Sequence, residues 1–404
     1  MIIKRLRINN FRNYGRLDID VGPSVNIVYG SNGEGKTNLI ESIYTASSVT
    51  SHKTNKDKNL IKFGEEGFEI ILNMTDDDDT DIELIDRTYI KGDTTKRELF
   101  CNNEKIPKIA DYLGICNTVI FAPEDLNIIK GAPAERRKFL NVMMSKVSPS
   151  YYNILSVTNR LIGQKNETLK NARNDKSDLD TKLDYWDFSL ADKSAELIIN
   201  RYRYVNLLND IAGEYHKSIS GGKEVLKIRY VTISGCIELI EAFLKNNSNT
   251  DGFISRGLNR GDFEALKGIL SEHILNKFRS ARKYDIEKGI SSVGIKKDDI
   301  EIYLNDNLTR IYSSQGQQRS AALSLKLSEL EIIRRFVRST PVLLLDDVFS
   351  ELDMNRRVSL ISAIRGTQIF ITCTDKDYIA NEIASLTDNT DDVRYFHIKS
   401  GSVE

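Results

Sequence analysis

Gly30-Ser31-Asn32-Gly33-Glu34-Gly35-Lys36-Thr37 fits the pattern G-x-x-x-x-G-K-[ST] at every fixed position. An apolar run with Val25, Ile27 and Val28 precedes it, and a helical pattern with Leu39, Ile40, Ile43 and Tyr44 on one face follows. In a strand–turn–helix of this kind successive backbone N–H groups turn inward around an anion, and glycine permits the dihedral angles this needs. The helix N-terminus adds partial positive charge. Lys36 is then expected to reach the β- and γ-phosphates of ATP, and the Thr37 hydroxyl to ligate Mg²⁺. The nucleotide contacts are assigned to Gly30, Ser31, Asn32, Gly33, Glu34, Gly35, Lys36, Thr37 and Asn38. A plain glycine-rich strand–helix turn is the competing reading.

A phosphate loop needs a carboxylate on a neighbouring strand to hold the metal. Val342-Leu343-Leu344-Leu345-Asp346-Asp347 supplies one at the end of a run that reads as a strand buried on both faces. Asp346 is expected to hold Mg²⁺, together with Thr37. Asp347 is expected to polarise the attacking water, which makes Asp347 and Lys36 the candidate catalytic residues. The two aspartates could instead be a helix N-cap pair.

Two further segments narrow the class. Ser314-Gln315-Gly316-Gln317-Gln318-Arg319 opens a long helix ahead of that strand, and Ser350-Glu351-Leu352-Asp353 follows it. In ABC ATPases a Ser-x-Gly-Gln segment at a helix N-terminus approaches the γ-phosphate held by the other subunit. Ser314, Gln315, Gly316 and Gln317 are thus expected to act in trans. A simple serine-capped helix start is the alternative.

The chain has 404 residues, enough for two domains or one large domain with an insertion. Hydrophobic residues make up 40% and charged residues 28%, which suits a folded, soluble chain. No apolar run is long enough to cross a membrane, and the opening MIIKRLRINNF is not a secretory signal. Cys101, Cys116, Cys236 and Cys373 form no CxxC pair, which argues against zinc and for a reducing cytoplasm. A net charge of -1 neither favours nor excludes nucleic acid. The run Asp76-Asp77-Asp78-Asp79 reads as a solvated loop or hairpin tip.

The chain runs from strand-rich to helical to alternating α/β. Three strands fill residues 1–29 and three more fill 67–101, before a short helix near Ile106 to Leu113 and a strand at Thr118–Phe121. From about 124 to 217 helical periodicity dominates, with Leu183, Trp186, Leu190, Leu197, Ile198, Val205, Leu208, Ile211 and Ala212 on one stripe. Residues 163–182 are almost wholly polar and read as the exposed end of a helical hairpin or a linker. Strand character returns at 224–234, a helix is expected at about 261–285, and a hairpin turns at Asn305-Asp306-Asn307. A helix (315–338), strand (341–346), helix (351–364), strand (368–373), helix and strand complete the chain. The expected fold is α/β: an ABC-type ATPase head, with mixed sheets and flanking helices, interrupted by a helical insertion. The boundaries are 1–122 and 276–404 for the head and 123–275 for the insertion.

These residues resemble the RecF family of bacterial ABC/SMC-type ATPases over nearly the whole chain. Asn10-Phe11-Arg12-Asn13-Tyr14 matches that family's F-R-N-Y, and Phe121-Ala122-Pro123-Glu124-Asp125-Leu126 its F-x-P-E-D-L. Gly131, Pro133, Arg136 and Arg137 follow its G-x-P-x-x-R-R. The signature reads SSQGQQR and the carboxylate segment LLLDDVFSELD. Its G-P-H-R-D-D appears here as Gly294-Ile295-Lys296-Lys297-Asp298-Asp299, and Lys53 stands where Arg is common. The chain is also longer than expected near 163–182 and 244–262.

The resemblance implies an ATP-dependent homodimer that sandwiches two ATP molecules between phosphate loop and signature, grips DNA, and reopens on slow hydrolysis. It implies work with RecR and RecO at single-strand-gapped DNA, in replication, recombinational repair and the SOS response to damage. It makes Arg12 a nucleotide contact and the helical insertion a short lever. Thr372 stands where other ABC enzymes carry a switch histidine, with Thr374 close by, and neither can act as a general base.

Arg136-Arg137-Lys138, Arg279 with Arg282-Lys283, Lys296-Lys297, and Arg334-Arg335 with Arg338 are basic clusters that either face DNA backbone or form solvated helix faces. Two other functions compete: an ABC transport ATPase, and a phosphate-loop kinase of small molecules. The RecF-like signature and the lack of a histidine after 368–373 weigh against the first. A kinase needs no Ser-x-Gly-Gln segment.

Overall fold

All five residues of Val342–Asp346 are buried, as an apolar strand in the interior of a sheet must be. The computed structural model describes residues 1–172, 178–247, 250–337, 339–379, 386–387 and 392–404. In it the strand lies between Ile369–Cys373 and Thr118–Phe121 in a sheet whose order continues through Val25–Tyr29 and Val393–Lys399 to Ser402–Val403. The first five of these strands pair in parallel. Their carboxyl ends therefore emerge at one edge, where an open α/β sheet binds ligands.

A second, antiparallel sheet takes the order Tyr14–Asp20, Ile2–Phe11, Gly67–Thr75, Asp81–Lys91, Thr94–Cys101, Glu104–Ile106. The phosphate-loop helix, Lys36–Ser48, is wedged between the two sheets. Its residues from Leu39 to Ser48 are all buried, so it packs on more than the single face that its sequence advertises. Leu39, Ile40 and Ile43 share one apolar cluster with Ile8 and Leu72 of the antiparallel sheet and Leu344 and Phe370 of the parallel one. The signature helix, Gln315–Val337, covers the opposite face of the parallel sheet through Leu323, Leu327 and Leu330.

The rest is largely helical: Pro133–Val147, Pro149–Asn171, a 41-residue helix at Leu179–Ile219, and Arg260–Lys288. The stripe predicted on the long helix is buried, Trp186 only partly. A small sheet joins Leu226–Val231 to Asp299–Leu304 and Asn307–Leu308. Its hairpin turns at Asn305 and Asp306, both at positive φ (49° and 62°), as a two-residue turn between twisted strands demands.

Two expectations need correction here. The boundary expected at 275/276 falls inside the helix Arg260–Lys288, and the pairing of Leu226–Val231 with Asp299–Leu304 ties the insertion to residues well beyond it. The polar stretch 163–182 is helical up to Asn171 and again from Leu179, and its described residues are not wholly exposed. Lys165 is buried with its ammonium 2.7 Å from Asp187 and 3.8 Å from Asp285. Leu169, Ala172 and Leu179 are buried beside it, while residues 173–177 lie outside the described residues. Polarity misled because a charge paired with carboxylates on neighbouring helices can be buried. Between Cys373 and the last strands, where a helix is expected, residues 380–385 and 388–391 lie outside the described residues.

The motif residues at 131–137 and 298–299 meet in space. Arg136 is buried and bidentate to Asp299, with Nε and Nη2 donating at 2.6 and 2.8 Å, while its Nη1 donates to Gly131 O at 2.8 Å. Arg137 donates to Asp298 O. The Asp298 carboxylate accepts from Arg201 (2.6 Å), Thr232 (2.7 Å) and the Tyr230 hydroxyl. Arg201 is itself buried in the long helix and also donates to Tyr151 OH and Asn141 Oδ1. These aspartates are structural anchors of the insertion. Asp298→Ala would strand the Arg201 guanidinium without a counter-charge, and is expected to cost about 3–5 kcal/mol of stability. Denaturant unfolding measures this, and a loss below about 1 kcal/mol would contradict the anchoring role.

Candidate nucleotide site

The strand Val25–Tyr29 ends at Gly30, and the chain turns through the loop into the helix that begins at Lys36. Gly35 has φ +115°, and a Cβ there would lie 2.4 Å from the Asn13 amide nitrogen. A Cβ on Gly30 would lie 2.5 Å from Ile398 O. Both positions need glycine for space as well as for backbone conformation.

The Asn10–Tyr14 segment cradles this turn. Asn13 Nδ2 donates to Glu34 O at 2.9 Å and its Oδ1 accepts from Asn38 at 2.8 Å. The Tyr14 hydroxyl donates to Gly35 O at 3.0 Å. Arg12 points elsewhere: two of its nitrogens donate to the buried Glu41 carboxylate at 2.9 and 2.8 Å, and a third to Asn59 O. From the other side, Gly401 N donates to Glu34 O at 3.0 Å and Ser400 N to its carboxylate.

A cavity of about 280 Å³ opens over the loop, lined by Asn32, Gly33, Gly35, Lys36, Thr37, Asn38, Lys53, Asp346, Asp347, Thr372 and Thr374. The Lys36 ammonium lies under the loop, donating to Gly30 O (2.6 Å) and Ser31 O (2.8 Å). Partial burial lowers its pKa, opposed by the charges of Asp347, Asp346 and Glu34. Thr37 Oγ1 donates to Asp346 Oδ1 at 2.8 Å, and Thr372 Oγ1 donates to the same oxygen at 2.8 Å. Burial pushes the Asp346 carboxyl upward, against the pull of those two hydroxyls.

Thr372 also accepts from Asp347 N at 2.9 Å, so one hydroxyl fixes both aspartates. Asp347 is exposed at the mouth, in left-handed conformation with φ 52° and ψ 25°. Lys53 Nζ stands 4.0 Å from Asp346 Oδ2 and 3.7 Å from Glu124. The sequence reading missed the cradle role of Asn13 and Tyr14 and the bracing role of Thr372. Only the F-R-N-Y match marked the first, and only its position marked the second.

The donor set suits a small hard cation. A hydroxyl and a buried carboxylate oxygen meet beside the phosphate loop, and both are oxygen ligands of the type Mg²⁺ takes.

The signature segment caps its helix reciprocally. Gln317 N donates to Ser314 Oγ (3.3 Å) and Ser314 N donates to Gln317 Oε1 (2.8 Å). The Ser314 hydroxyl accepts in that cap, which leaves its own proton for another acceptor. Arg356 fastens the segment to the turn after the carboxylate strand: it donates to Gly316 O (2.7 Å), Ser320 Oγ (2.9 Å) and the Asp353 carboxylate (2.6 Å). None of Ser314, Gln315, Gly316 and Gln317 lines the cavity over the phosphate loop of its own chain.

The chain matches the family described as RecF/RecN/SMC N terminal domain over residues 2–393. It is 35% identical over 408 residues to the DNA replication and repair protein RecF of Ruminiclostridium cellulolyticum, covering 100% of this chain and 99% of that one. This chain belongs to the RecF family. A second RecF, from Lachnospira eligens, is 36% identical over 382 residues, 94% of each chain. The solved structure titled as the recombination mediator RecF with ATP, in the RecFOR pathway, superposes with a TM-score of 0.83 at 30% identity, over 100% of this chain and 97% of that one. The ABC/SMC-type α/β head with a helical insertion is thus the family fold, and a solved relative of that fold is described with ATP. The transport reading finds no support among these relatives.

Of the basic clusters, Arg136-Arg137-Lys138 is internal, since Lys138 donates to Ser51 O and its two neighbours hold Asp299 and Asp298. Arg282 is spent on Asp184 and Asp187. Arg334 donates to Ala363 O and Arg335 pairs with Glu331, while Arg338 lies outside the described residues. Arg279, Lys283, Lys296 and Lys297 are exposed. No helix among the described residues is long and apolar enough to cross a membrane.

Proposed function

We propose that this RecF-family chain is an ATP-gated DNA clamp of recombinational and replication-gap repair. The observation that carries it is the half-built site. Phosphate loop, metal-type oxygens and exposed Asp347 line one open cavity, while the capped, solvent-accessible Ser314–Gln317 segment lies outside it. A second copy supplies what one chain lacks. The exposed apolar residues Ile311, Tyr312, Met354 and Val358 flank the signature and the Asp353 turn, which suits burial against another copy.

In this reading Lys36 compensates phosphate charge and Asp347 polarises the attacking water. Thr37 and Asp346 would hold Mg²⁺, which spreads the charge on the phosphates. Asn32, Gly33, Gly35 and Asn38 line the cavity beside the nucleotide, while Gly30, Ser31 and Glu34 lie outside its lining and shape the loop from behind. Arg12 reaches it only with the N–H groups that Glu41 and Asn59 leave over. Hydrolysis is slow and DNA-stimulated. The dimer grips single- and double-stranded DNA through backbone contacts, works with RecR and RecO at gaps, and is cytoplasmic. The exposed Arg279, Lys283, Lys296 and Lys297 are the backbone contacts the charge pattern favours.

Ser314→Arg is expected to block the ATP-induced dimer by crowding the opposing phosphate. Gel filtration with and without ATP tests it, and normal dimers in that variant remove the trans signature. DNA affinity measured against salt, with ATP, ADP or no nucleotide, tests the gate. A grip that ignores nucleotide state would leave a DNA-binding ATPase but no clamp.

A further inference from the structure

Gln317 does two things at once. Its Oε1 closes the cap on Ser314 N, and its Nε2 donates to Glu224 Oε1 at 2.9 Å. The other oxygen of Glu224 pairs with His216 Nε2 at 3.0 Å. A carboxylate only accepts, so the Gln317 amide presents its NH₂ to Glu224 and its oxygen to Ser314, and His216 carries its proton on Nε2. His216 is fully buried near the end of the long helix Leu179–Ile219, with Nδ1 3.2 Å from Ser324 Oγ of the signature helix. Glu224 lies between that helix and the strand Leu226–Val231. The insertion and the signature thus share one carboxylate, contributed by a residue that lines no part of the nucleotide cavity.

We propose that Glu224 is a positioning residue for the signature. It holds the Gln317 side chain, and through the cap the Ser314 amide and hydroxyl, in the orientation that receives a γ-phosphate from a second copy. His216 holds Glu224 in place and so links the long helix to that geometry. The proposal rests on the trans-signature reading above.

Glu224→Ala should leave ATP binding by the isolated chain unchanged and weaken the ATP-induced dimer about tenfold, the loss of one charge-assisted hydrogen bond. Turnover at saturating ATP should fall at low protein concentration and recover as concentration rises. Glu224→Gln keeps an acceptor for Gln317 and should restore dimerisation to within about threefold.

The decisive pair is Gln317→Glu alone and combined with Glu224→Gln. Glutamate at position 317 preserves the reciprocal cap, so the single variant changes only what faces Glu224 and sets two carboxylates together. It should weaken the dimer. The double variant should recover it, because the amide introduced at position 224 now donates to the carboxylate introduced at 317. Melting temperatures should vary little across the set. If the double variant fails to recover the dimer, or Glu224→Ala dimerises like the parent while Ser314→Arg does not, Glu224 has no positioning role. If Ser314→Arg also dimerises normally, the trans signature itself is what fails.

Discussion

Asp347→Asn is expected to bind ATP, to lower its hydrolysis by about 10²–10⁴-fold, and to accumulate as the nucleotide-bound dimer. The substitution is conformationally quiet. Asp347 has φ 52°, and asparagine tolerates the left-handed region as readily as aspartate. Its backbone N–H still meets Thr372 Oγ1, so the brace on Asp346 survives. What disappears is the negative charge at the mouth of the cavity, which in the proposed function polarises water. Single-turnover phosphate release and gel filtration with ATP measure the two halves. An unaltered rate would remove Asp347 from the chemistry. A lowered rate without accumulated dimer would separate hydrolysis from reopening.

The second large effect falls on binding. Lys36→Ala is expected to weaken ATP by at least about 100-fold, since truncating one member of a hydrogen-bonded charge pair costs about 3 kcal/mol or more. In the structure the ammonium lies under the loop with the carbonyls of Gly30 and Ser31 within 2.6 and 2.8 Å. Those carbonyls cannot neutralise phosphate, and Thr37 contributes no charge. Lys36→Arg should not rescue fully, because a planar guanidinium cannot replace a compact ammonium in so narrow a turn. Titration calorimetry with ATP reads the loss directly. An unchanged affinity would refute the site assignment.

Some of the site was legible because its chemistry is local. A loop that wraps phosphate with its own amides must keep glycine, lysine and hydroxyl at fixed spacing, so eight contiguous residues declared it. The buried strand before Asp346 was legible for a similar reason: an interior strand must be apolar along its length. Arg12 was harder. Its sequence context matched the family motif, yet the guanidinium is fastened to Glu41, twenty-nine positions away along the chain. Arg136 was read as part of a basic cluster with two possible fates, and its neighbour Asp299 in space lies 163 positions away. Nothing in either local sequence names the other.

Short continuous segments dictate the ATPase head, the order of strand and helix, and where the phosphate loop and the carboxylate strand lie, because each of these is set by the period or chemistry of neighbouring residues. Tertiary structure alone decided which charges are solvated and which are anchors, that Thr372 braces both aspartates, that the insertion reaches past residue 275 to the strand Asp299–Leu304, and that Glu224 meets Gln317. Those pairings join residues far apart in the chain, and burial makes each partner depend on the other's position. The energy that selects them exists only once the helices and sheets have packed.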